Sequence, residues 1–166
     1  MREELRKVKM GLALVILGLF FGVSLGVSFG IGQGTIQYYI HKEVAAHPEV
    51  HDENSEHKIW RYVQRAHMHA TGISAFSLGL IILVMFSDMK ARLKTVSSVL
   101  IGLGSFYPLA WFTMFAVAPY IGREQSHEFI VTRIFTYIGV GGLLLGLLIL
   151  VANLFLGKFR DERYNN

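Results

Sequence analysis

The sequence predicts an all-α chain folded as a four-helix transmembrane bundle, and three observations predict it. Hydrophobic residues make up 52% of the 166 positions, and the mean hydropathy is +0.43. These residues gather into four long apolar segments, at about 10–40, 67–86, 96–119 and 134–157. Each comes close to the ~20 residues that a helix needs to cross about 30 Å of hydrocarbon. Charged stretches separate the segments, and the length suits one domain.

The first segment follows a basic start running from Arg2 to Lys9. Its apolar run far exceeds the 7–15 residues of a signal-peptide core, so it reads as a retained span. Glycine recurs at every fourth position through it: Gly18, Gly22, Gly26, Gly30 and Gly34. Glycine weakens a helix and leaves a groove where a side chain would pack. Something must press closely there, either a helix, within the bundle or in a homo-oligomer, or a porphyrin or lipid tail. Each i+4 step advances about 400°, so the groove spirals slowly around the helix.

Pro48 breaks the helix that leaves this span, and "HPEVHDENSEH" reads as a solvated loop. "KIWRYVQRAHMHA" then leads as an amphipathic helix into the second span, with Trp60 and Tyr62 suited to a membrane interface. A tight charged turn at 87–95 precedes the third span, in which Pro108 predicts a kink. Gly139, Gly142 and Gly146 in the fourth span echo the first span's glycine row.

Ten of the sixteen Lys and Arg residues lie in the N-terminal arm, the 87–95 turn and the C-terminal tail. That excess places both termini in the cytoplasm of a multi-pass cell (inner) membrane protein. The net charge of +4 then reflects topology, with no nucleic-acid partner implied. Without cysteine, any metal must be held by histidine and oxygen ligands or within a porphyrin.

All seven histidines (His41, His47, His51, His57, His67, His69 and His127) fall on the opposite, outer side. Histidine is the commonest metal ligand and an axial ligand of haem iron. The four in the 41–57 region stand among five acidic residues, which reads as a solvated loop or as a copper or zinc site. His67 and His69 stand two positions apart, about 200° around a helix, so they cannot chelate one ion. The stripe His69, Gly72, Phe76, Gly79, Leu83 offers an inward histidine with space beside it for a ring. His127 stands on a short segment leading into the last span. No carboxylate or lysine lies in the core of any span, and no hydrolase or phosphate-loop motif appears.

The order of Gly18 to Gly34 followed by Ala66, His67, Met68 and His69 resembles small membrane proteins akin to a fragment of haem–copper oxidase subunit I. The resemblance covers the first half of the chain. It implies haem b, with His69 at the ligand position, although Thr71 stands where that family commonly has Asn. "VQRAH" is also similar to the second-helix signature of membrane-associated glutathione transferases. That resemblance implies a glutathione site on the cytoplasmic side, but His69 and Gly72 stand where those proteins carry Asn and Glu.

The leading expectation is therefore a b-type haem protein or a subunit of a redox complex that transfers electrons near the outer face. His69 would be one axial ligand, with His67 in its place as the alternative, and His41 or His127 would be the second. Gly22, Gly26 and Gly72 would admit the porphyrin, and Phe76, Phe106 and Trp111 would exclude water. The alternatives are a non-redox scaffold or accessory subunit, whose oligomer depends on Gly22 and Gly26, and an outer-face copper or zinc binder.

Overall fold

The computed structural model describes residues 1–161, all on an α-helical framework. The helices are α1 (Arg2–Ala46), α2 (Ser55–Phe86), α3 (Ala91–Gly102), α4 (Tyr107–Ile121), α5 (Arg123–Glu128) and α6 (Ile130–Leu156). Four stretches are long and apolar enough to cross a membrane: α1, α2, the combined 91–121 stretch, and α6. The chain is thus a multi-pass helical bundle in contact with lipid. Large apolar side chains such as Phe20, Ile31, Leu148 and Phe155 face outward, where hydrocarbon is the solvent.

The third crossing is the centre of the bundle. α3 packs on α1 and α6, while α4 packs on α2 and α6. Between them, Leu103–Phe106 form a turn of 3₁₀ helix, and Pro108 lies in the first turn of α4. Proline has no N–H to donate and is accommodated in a first helical turn, so the expected kink takes the form of a break between two helices. α6 ends at Gly157, whose φ of +63° favours glycine, and the Lys158 N–H donates back to the Ala152 carbonyl.

Helix backbones meet where the glycines lie. A Cβ on Gly11 would stand 2.2 Å from the Ser98 carbonyl oxygen, and one on Gly18 would stand 2.4 Å from Ser74 Oγ. On Gly22 it would meet Thr71 Cγ2 at 2.8 Å, and on Gly26 the His67 ring at 2.9 Å. α6 repeats the device, with Gly139 against the Tyr107 backbone and Gly146 against Ile101 and the Ser97 carbonyl. The close partner is therefore another helix of the same chain. Gly30 and Gly34 have nothing near them. The row drifts about 40° per i+4 step, and α1 leaves helical geometry at Gly32, where φ is −139°.

The fold gives the three glycines named beside a porphyrin the following surroundings. The slot at Gly22 and Gly26 is filled by Thr71 and His67 of the same chain. Gly72 has open space around it. The stripe through it turns to lipid, with Phe76 54% exposed and Leu83 50% exposed. Since a methyl on Gly72 meets nothing, Gly72→Ala should raise stability by about 0.5–1 kcal/mol through helix propensity alone. Thermal unfolding in detergent, followed by circular dichroism, measures this.

At the end that carries the start of α1 and the 87–95 turn, Val8, Val15, Ile81, Val84, Met89, Ile101 and Leu150 form the main apolar core. Lys94 is 3% exposed beside it. Its ammonium donates to Glu4 Oε2 at 2.6 Å and to the Met85 carbonyl at 2.9 Å. In the sequence Lys94 counts among the charges of the 87–95 turn, but α3 begins at Ala91 and carries it inward. The chain after α6 is tied to the same turn, with Arg160 Nε 2.9 Å from Asp88 Oδ2.

Candidate functional site

The opposite end holds the histidines, and six of the seven join one element to another or brace a helix end. α2 supplies two of them. The His67 Nδ1–H donates to the Gly22 carbonyl of α1 at 2.8 Å, with its ring edge-on to Phe29 at 5.5 Å. His69 leaves α2 on another side and meets α4, stacking on Trp111 at 5.8 Å and lying 5.2 Å from the Tyr107 ring. The 200° separation read from the sequence thus sends the two imidazoles to different helices.

His127 on α5 shares a hydrogen bond of 3.0 Å with the Tyr62 hydroxyl on α2. His51 Nε2–H donates to the Pro119 carbonyl of α4 at 2.9 Å. His41 on α1 reaches Glu56 on α2 at 2.9 Å. His47 closes the end of α1 by donating to the Glu43 carbonyl at 2.8 Å, and its ring rests 5.6 Å from Tyr120 of α4. His57 lies on the wall of a cavity described below.

Asp52 organises the connection into α2, and the polar stretch is less of a loop than its composition implies. The Asp52 carboxylate accepts from the Ser55 hydroxyl at 2.9 Å and the Asn54 amide at 3.0 Å. It also meets the Arg123 guanidinium at 2.8 Å. The Ser55 hydroxyl, then the Asn54 amide and the Arg123 charge, hold this carboxyl below its ordinary value. Glu56 and His57 already belong to the first turn of α2.

Cavities open near several of these side chains. One of about 700 Å³ lies between the end of α1 and the start of α2, walled by His41, Glu53, Glu56, His57 and Trp60. A second, of about 310 Å³, lies among α4, α5 and α6 and includes Trp111, His127 and Arg133. A small apolar one of about 220 Å³ sits at mid-depth beside Gly18, Ser105 and Phe106. His67 and His69 line none of the three.

The candidate ligands are therefore spread over separate contacts. His41 and His127 occupy different cavities, while His67 and His69 are packed against protein. Phe106, expected beside a porphyrin, stacks on Phe135 of α6 at 6.1 Å. The residues named around a porphyrin thus stand at separate places in the fold. Of the loop histidines, His41 and His57 share the cavity of about 700 Å³ with two glutamates, while His47 and His51 turn away to other partners. Among the described residues, no three histidine or acidic side chains gather as a metal site.

One contact escaped the sequence reading. Arg65, four residues before His69 on α2, places its guanidinium 4.8 Å from the Trp111 ring centre. The i, i+4 spacing of Arg65 and His69 was the available signal, but the facing tryptophan lies two helices later. Tyr62→Phe removes the hydroxyl that joins α2 to α5 and should cost about 1 kcal/mol. The check is the unfolding midpoint together with proteolytic nicking in the 122–129 segment. Compared with family models, curated proteins and solved structures, the chain matches none.

Proposed function

We propose that this chain is a non-redox accessory subunit of a membrane assembly, with its histidines acting as structural ties at one end of the bundle. The observation that carries this reading is the dispersal of the imidazoles. Those named as ligands reach a carbonyl of α1, an aromatic pair on α4, a tyrosine on α2 and a glutamate on α2. Such a set fastens helix ends together, whereas an axial pair must converge on one iron. The excess of Lys and Arg near the termini supports a histidine end facing outward from the cell membrane.

A second reading, a b-type haem held by His67, has one observation in its favour. The Nδ1–H of His67 is committed to the Gly22 carbonyl, which leaves Nε2 with the lone pair that an iron ligand needs. A reduced-minus-oxidised visible spectrum separates the two readings, with haem precursor supplied during expression and the chain purified in mild detergent. A featureless spectrum is the expected result. Sharp alpha and Soret bands that disappear in His67→Ala would overturn the accessory reading and install the other.

A further inference from the structure

Four cations converge at the start of α2 with one carboxylate beside them. Lys58, Arg61 and Arg65 follow at i, i+3 and i+7, so they share one face of the helix. Arg123 reaches the same place from α5. With Tyr62 and His127 they line a cavity of about 250 Å³. Asp52 holds Arg123 at 2.8 Å and lies 4.0 Å from Lys58. Among the described residues, neither Arg61 nor Arg65 has a carboxylate partner.

We propose that this cavity binds a phosphate group. Cations that only orient a chain in the membrane need to be present in a loop; they need not gather around a hollow. Here they do gather, and a concavity lined by one sign of charge focuses its potential on an opposite ion. Guanidinium forks without a carboxylate match phosphate oxygens two at a time. The Tyr62 hydroxyl, buried and tied to His127, fixes part of the wall. The apolar part of α2 begins at about residue 67, just after Arg65, so the cavity stands level with lipid headgroups. The phosphate can therefore come from a phospholipid or from solution.

The full-length chain in mild detergent tests both sources. Native mass spectrometry with added phosphatidylglycerol reads lipid retention. Thermal unfolding in inorganic phosphate, against chloride of equal ionic strength, reads the dissolved ion. The expected result is binding in at least one arm that weakens about tenfold in Arg61→Gln/Arg65→Gln and is unchanged in Arg92→Gln at the other end of the bundle. Lipid retention alone assigns the headgroup, and phosphate stabilisation alone assigns the free ion. Arg61 is exposed, so Arg61→Gln by itself keeps the packing and should weaken binding in the same direction if the double variant misfolds. Absence of binding in both arms overturns the proposal, and so does equal binding by the wild type and Arg61→Gln.

Discussion

Gly11→Ala should destabilise the bundle by about 3 kcal/mol, a large effect for one methyl group. The added carbon would stand 2.2 Å from the Ser98 carbonyl oxygen and 2.5 Å from its carbon. Both are backbone atoms of α3, and no rotamer change moves them. Gly102 presses back against the Gly11 backbone from the same helix, so α1 and α3 would have to separate along this seam. The unfolding midpoint in detergent and the monodispersity of the purified chain measure the loss. Gly79→Ala is the matched control, because its Cβ meets nothing. Equal midpoints for the two variants would show that α1 and α3 do not touch as described.

Glu4→Gln should cost nearly as much, about 3 kcal/mol, because it leaves the Lys94 ammonium almost fully buried without its anion. The Met85 carbonyl remains as an acceptor but carries no charge to balance it. Adding Lys94→Met should recover most of the loss, since a paired deletion removes the stranded ion as well as its partner. A double-mutant cycle on unfolding midpoints gives the coupling directly. Additive single effects would mean that the pair is not formed.

The four crossings were legible because a stretch of about 20 apolar residues has few other fates. Pro108 announced an interruption, though not that it would become a 3₁₀ turn between two helices. The glycine row of α1 announced a close approach. What covers Gly22 and Gly26, however, is Thr71 and His67, more than 40 residues later in the chain, and that depends on the register of α1 against α2. Helical spacing gave the divergence of His67 and His69, but their partners lie on α1 and α4. Lys94 shows the same limit, since its burial depends on Glu4, ninety residues earlier. Confinement of histidine to one end was visible and pointed to metal or haem. In the fold six of the seven imidazoles find separate neighbours, a distinction carried by long-range contacts and absent from composition.

The central position of the third crossing has a consequence for how the protein is made. Its most apolar window has a mean hydropathy of 1.5, against 2.4 for the first and last crossings. Ser97, Ser98 and Ser105 are buried along it, facing the helices on either side. A newly synthesised segment of this kind gains less by entering lipid alone than the first or last crossing does. α1 and α2, which emerge from the ribosome first, already present the glycine and serine surfaces that it needs. The order of the chain therefore sets an order of assembly: the first hairpin enters the bilayer, the third segment enters against it, and α6 closes over Ser97 last.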